Sequence, residues 1–212
     1  MPDSSNATFL VELALNGTTG FAVYKPGRGE RPLWDFPPAL YRREIAAYLL
    51  SEALGWGLVP LTIERSGPFG EGSMQRFLAA DFDQHYFTLR EDAGLHDRLR
   101  QICLFDLLAN NADRKSGHCL LFDRSVWAID NGLCFHVEPK LRTVIWDFGG
   151  EPIARPWLAD LQQLLDGGVP SELAALLTRD ERKALFVRAR VLIDGGVFPV
   201  DASGMRYPWP LV

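Results

Sequence analysis

The sequence predicts a bilobal α+β chain, strand-rich at first and helical afterwards, and three observations carry that prediction. Short apolar runs separated by turn residues fill roughly the first eighty positions. Apolar residues at helical spacing, with capping signals, dominate the last third. Between them lies a segment, 110–135, in which two carboxylates, Asp113 and Asp130, stand on either side of a short hairpin.

The first elements form a hairpin within residues 8–25. Phe9–Leu13 and Phe21–Tyr24 read as strands, and Asn16 to Gly20 between them is turn chemistry. The segment Pro26–Pro32 breaks any periodicity and reads as a loop. A helix is expected from near Pro38, which a first turn tolerates, to Gly55, with Tyr41, Ile45, Tyr48 and Leu49 as its apolar stripe. Strands follow at 59–65 and 73–77, joined by the Gly- and Pro-rich stretch 66–72. The next helix spans about Leu95 to Leu108, and Leu95, Leu99, Ile102 and Leu107 can face a core. Residues 119–122 and 126–129 make a hairpin that turns at Asp123-Arg124-Ser125. Trp157–Leu165 and Ser171–Leu177 read as helices. A last helix opens with the capping box Thr178-Arg179-Asp180-Glu181 and stops at Gly195-Gly196. No repeat or low-complexity linker intervenes, so residues 1–212 are expected to be one domain, with lobes at 1–80 and 81–212.

With 22 basic and 27 acidic residues the net charge is -5, and the basic residues are scattered without a polybasic run. That argues against nucleic acid as a partner and against stable association with an anionic membrane. The apolar stretches are shorter than a membrane span, and Met1-Pro2-Asp3-Ser4-Ser5 lacks a charged-then-apolar leader, so a cytoplasmic location is expected. Cys103, Cys119 and Cys134 are odd in number and unpaired in spacing, which reads as three buried reduced thiols. A zinc site from His118, Cys119, Cys134 and His136 would need adjacent strand residues, which face opposite ways, to reach one ion.

The chemistry sits in a few side chains. Lys25 ends an apolar strand, and Glu44 lies on the inward stripe of its helix, where an unpaired carboxylate is costly. Lys25 is the natural partner for Glu44, although Arg42 and Arg43, or a role for Glu52, are alternatives. Asp113 follows Asn111-Ala112 on a loop anchored by rigid elements, with Arg114 and Lys115 beside it. Asp130 ends an apolar run and precedes Asn131-Gly132. Each aspartate also suits a plain turn. No Walker A sequence occurs, and Gly27-x-Gly29 and Gly70-x-Gly72 lack the strand–turn–helix context of a dinucleotide fingerprint. Ser5 and Asn6, just before the first strand, can offer groups to cradle a phosphate; a polar segment without such a role is the alternative.

Asp113-Arg114-Lys115-Ser116-Gly117-His118 resembles the Asp-Arg-His-x-x-Asn catalytic loop of phosphoinositide 3/4-kinase-like proteins, and Asp130-Asn131-Gly132 resembles their Asp-Phe-Gly. With Tyr24-Lys25-Pro26 and Glu44, the set is most similar to the compact bacterial branch of that protein-kinase-like superfamily, over roughly residues 4–150, and more distantly to HipA-type toxin kinases. The resemblance implies an ATP-dependent phosphotransferase needing Mg²⁺ or Mn²⁺. Lys25 would bind phosphate and Glu44 would orient it. Asp113 would position the acceptor hydroxyl, and Asp130 would hold the metal. Gln75, Arg76 and Phe77 would be the hinge against adenine. Lys115 replaces the family histidine and can supply transition-state charge, though not neutral acid–base catalysis. His118 replaces the metal-binding asparagine, a swap that favours Mn²⁺ or another transition metal over Mg²⁺, or loses one of two ions. The acceptor expected is a small polar metabolite or a protein hydroxyl, with Lys140 and Arg142 available to hold an anionic group. The rival readings are a nucleotide-binding pseudokinase and a nucleotidyl (AMP) transferase.

Overall fold

Phe9–Leu15 (β1) and Thr18–Pro26 (β2) pair as an antiparallel hairpin in the computed structural model of the chain, which describes residues 6–212. Thr62–Gly67 (β3) and Gly70–Arg76 (β4) form a second hairpin, and the four strands assemble in the order β1-β2-β4-β3. Between the hairpins runs the helix Tyr41–Ala53 (α1), which packs on β3 and β4. Its start is later than the sequence suggests. Ala39 takes a left-handed conformation (φ 69°) straight after Pro37-Pro38, so no helical turn can form before Leu40. The second hairpin is also tighter than expected: the turn is Pro68-Phe69, and Gly67, Gly70 and Gly72 lie within the strands. Gly72 has a steric reason to be glycine. A Cβ there would come within 2.3 Å of the Lys25 carbonyl oxygen and 2.7 Å of the Pro26 Cα.

The helical part begins with a short turn of helix, Tyr86–Leu89 (α2), which four residues of periodicity could not announce. His96–Ala109 (α3) follows as expected and ends on Asn110 in the left-handed region (φ 56°). Asn110 holds the ensuing chain: its amide group donates to the carbonyls of His136 (2.9 Å) and Glu138 (2.7 Å). Cys119–Phe122 (β5) and Ser125–Ala128 (β6) make the small hairpin. Arg155–Gly167 (α4), Ser171–Leu176 (α5) and Arg179–Gly195 (α6) complete the helices. The capping box of α6 forms as its residues foretell, with the Glu181 amide donating to Thr178 Oγ1 at 3.2 Å and the Thr178 amide to Glu181 Oε2 at 2.8 Å.

One buried apolar cluster runs through both parts. Leu50 of α1 shares it with Ile102 and Phe105 of α3, Leu161 of α4 and Leu185 of α6. All three cysteine thiols are buried and free. Among the described residues no helix is long and apolar enough to cross a membrane.

Candidate active site

Lys25 lies at the end of β2 where the sheet meets the helical part, and its ammonium joins the two. Nζ donates to Glu44 Oε1 at 2.5 Å and to Asp130 Oδ1 at 2.8 Å. The second Glu44 oxygen accepts the Asn131 amide at 2.9 Å, so one carboxylate fixes both the lysine and the turn after Asp130. The alternatives for Glu44 are settled by position: Arg43 turns the other way to Glu181 and the Cys134 carbonyl, and Glu52 is exposed. Burial draws the Lys25 pKa down, but Asp130 and Glu44 outweigh it and the lysine stays fully charged. Lys25 in turn holds Asp130 well below the usual carboxylate range, while burial lifts Glu44 against the pull of Lys25.

A buried ion pair sets the loop that carries Asp113. Arg114 and Asp106 of α3 are fully buried and joined at 2.9 Å. The guanidinium also donates to the Ile129 carbonyl (2.6 Å) and to Asn131 Oδ1 (2.6 Å), so it spans from the catalytic-type loop to the Asp130 turn. That turn places Asp130 in the left-handed region (φ 56°) with its side chain half exposed. Asp113 and Lys115 pair at 3.2 Å. Burial raises the Asp113 pKa, and Lys115 opposes the rise. His118 Nε2 faces Asp130 Oδ2 at 3.3 Å, and its Nδ1 lies 3.0 Å from the Asp113 carbonyl. Burial drives the imidazole pKa down to about 4 despite Asp130, so it is neutral at physiological pH.

Lys25, Glu44, Asp113, Lys115, His118 and Asp130 are thus linked in one cluster. The other expected residues are not. Asn6 gives its side-chain oxygen to the Arg31 amide (2.8 Å), tying the chain before β1 to the loop after β2; it shares no hydrogen bond with the cluster. Ser5 lies outside the described residues. Gln75 is buried and donates to Thr62 Oγ1 at 2.9 Å. The amides of Arg76 and Phe77 bond to the carbonyls of Leu61 (2.8 Å) and Phe21 (3.1 Å). The backbone amides of Arg76 and Phe77 are thus spent within the protein, while the Arg76 guanidinium is exposed and lies 6.0 Å from the Phe122 ring. Lys140 is likewise engaged, with Asp35 Oδ2 at 3.0 Å and under the Trp34 ring, while Arg142 is exposed.

Over 245 residues the chain is 40% identical to protein Rv2133c of Mycobacterium tuberculosis (strain ATCC 25618 / H37Rv), a match that takes in 98% of this chain and 88% of the relative. The chain belongs to the Rv2133c family. No family model matches it. Two solved structures share the fold of this Rv2133c-family chain. A crystal structure of the Golgi casein kinase superposes with a TM-score of 0.59 at 16% identity, covering 97% of this chain and 72% of that one. The Golgi casein kinase with Mn/ADP bound gives 0.57 at 15%, covering 100% and 76%. The fold is that of a protein kinase: a small antiparallel sheet lobe plus a helical lobe.

Two supporting residues escaped the sequence reading. Asp106 had a signal, since it continues the spacing Leu99, Ile102 and so stands on the buried side of α3, where it requires a cation. Asn131 had none beyond its place in a turn motif. Two metal-capable side chains, His118 and Asp130, also face each other here. His118 Nδ1 meets both the Asp113 carbonyl (3.0 Å) and the Lys115 amide, which donates at 3.3 Å, so the tautomer decides whether Nε2 donates to Asp130 Oδ2 at 3.3 Å or presents a lone pair beside it. Among the described residues no set of three or more His, Cys, Asp or Glu could hold a metal ion, so a metal here would need oxygens from its substrate as well.

Proposed function

We propose that this Rv2133c-family chain is an ATP-dependent phosphotransferase acting on the hydroxyl of a small polar metabolite or a protein. The observation that carries the reading is the Lys25–Glu44–Asp130 triad at the junction of sheet and helices, joined through His118 to the Asp113 backbone carbonyl. Lys25, held by Glu44, meets the phosphate oxygens of ATP. Asp130 and His118 would hold Mn²⁺ or Mg²⁺, which would supply positive charge against the phosphates. Asp113 accepts the acceptor's proton as the acceptor oxygen bonds to the γ-phosphorus and the bond to ADP breaks. Its raised pKa makes it a better base than a solvated carboxylate. Lys115, 3.2 Å from Asp113, lies where it can stabilise charge on the transferring group. Adenine would lie against Gln75, Arg76 and Phe77 at and just beyond the end of β4.

The Golgi casein kinase crystallised with Mn/ADP bound supports the choice of nucleotide and metal. We take the 212 residues as one domain with lobes at 1–80 and 81–212, because α1 shares its buried cluster with α3, α4 and α6. Three free buried thiols and the acidic net charge support a cytoplasmic setting without stable membrane association.

Incubation with γ- and α-labelled ATP, Mn²⁺ or Mg²⁺ and a cell extract tests the reading. Movement of the γ label is expected. Movement of the α label would mean nucleotidyl transfer, and nucleotide binding without transfer would mean a binding module. Asp113→Asn should cut transfer by about 10²–10⁴-fold while nucleotide affinity holds.

A further inference from the structure

The outer face of the helical part carries a groove of about 720 Å³ between α4, α5 and α6. Its floor is apolar, with Leu165, Val169 and Phe186 half-buried and Val187 56% exposed. Its rim is cationic: Arg179, Arg182, Lys183 and Arg190 all line it, and no carboxylate does. That composition is unusual for a chain with more acidic than basic residues. Arg179, Lys183 and Arg190 are exposed and Arg182 is half-buried, whereas several arginines elsewhere are committed, Arg43 to Glu181, Arg100 to Glu151 and Arg114 to Asp106. The four rim cations form no ion pair among the described residues; Arg182 and Arg190 make only long contacts to the Ala174 carbonyl (3.4 Å) and Gln162 (3.5 Å).

We propose that this groove is a docking site for an acidic-hydrophobic segment of a partner protein. Large apolar side chains of such a segment would fill the floor while its carboxylates meet the rim, the division of labour seen when a peptide lies in a groove. Of the large apolar side chains lining it only Val187 is exposed, too little apolar surface to wedge into a bilayer. The groove shares no residue with the Lys25–Asp130 cluster, so the site stands apart from the proposed chemistry.

Fluorescence polarisation with a short labelled peptide of Glu, Asp, Leu and Phe tests it on the whole chain. Saturable binding is expected, weakened roughly tenfold or more by Lys183→Glu with Arg190→Glu. Val187→Asp should weaken it too, as should replacing the peptide's Leu and Phe by Ser. Thermal melting of each variant establishes that it is folded. Absence of saturable binding would overturn the proposal, as would binding that folded variants leave unchanged. Retention on phosphatidylserine vesicles without peptide binding would assign the face to a membrane. A doubled mass in sedimentation, lost in Lys183→Glu/Arg190→Glu, would assign it to a second copy. Either result overturns the proposal, and none of these readouts depends on phosphoryl transfer.

Discussion

Arg43 and Glu181 join α1 to α6 through a buried ion pair, and by turning away from its neighbour in sequence Arg43 leaves Glu44 to Lys25. Adjacent residues of one helix are thereby divided between two jobs. Arg43 ties the helix to the helical lobe, and Glu44 orients the lysine of the sheet.

Lys25→Met should be the most damaging change in the cluster. It leaves Glu44, 4% exposed at its side chain, without a cation, and breaking such a pair costs about 3–5 kcal/mol. The pH dependence has a definite sign. Burial already lifts Glu44 above its ordinary value of 4.5, and loss of Lys25 lifts it further. The folded variant then holds a proton that the unfolded chain releases, so its stability falls as pH rises through the window above 4.5. Urea melts of Lys25→Met at acid and neutral pH should show the acid sample more stable relative to wild type. A pH-independent difference would mean that Glu44 remains ionised.

Replacement of His118 by Ala should change the metal rather than the fold. Nucleotide binding by the wild type should respond more to Mn²⁺ than to Mg²⁺, because a neutral imidazole is a softer donor than oxygen. The variant should lose that preference in calorimetric titrations. Equal dependence on both ions in both proteins would leave His118 only its contact with the Asp113 carbonyl.

Asp106→Leu should destabilise the chain by about 3–5 kcal/mol, since it strands a fully buried Arg114. A denaturant melt gives the number. The loop holding Asp113 should loosen with it, read as faster amide exchange at 113–118. Unchanged stability would show that Arg114 finds enough in the Ile129 carbonyl and Asn131.

Gly72→Ala should act at a distance on the lysine. The added methyl collides with the carbonyl of Lys25, so β2 and β4 must part at that point, at a cost of about 1–3 kcal/mol. Nucleotide affinity should fall along with melting temperature. Normal affinity with only a lowered melting temperature would mean that the shift is absorbed before Nζ.

Much of this site was legible because its residues announce themselves locally. A lysine ending an apolar strand, a glutamate on an inward helical stripe and two aspartates beside turns each carry a signal in their own neighbourhood. The helices were legible for the same reason, and Thr178 and Glu181 cap α6 as their spacing requires. What escaped was decided across the chain. Gln75 falls in an expected strand, but its partners on either side, Val23 and Thr62, are set by the order of the strands and not by its own neighbourhood. Lys140 reads as a free cation until Asp35, 105 residues earlier, is found beside it. Left-handed Ala39 delays α1, and nothing in an alanine foretells that conformation.

Residues 206 and 211 are bonded to the candidate site's loop and to the strand-like stretch beside it. The Arg206 carbonyl accepts from Thr143 (3.1 Å), and the Leu211 carbonyl accepts from Ser116 (2.8 Å), inside the loop that starts at Asp113. A chain emerging from the ribosome can shape its sheet, its lysine and its helices long before then. The loop, however, lacks this brace until Leu211 is out. Chains that stop short of Leu211 would therefore keep the contacts of Lys25 with Glu44 and Asp130, while the loop from Asp113 to His118 goes without that brace.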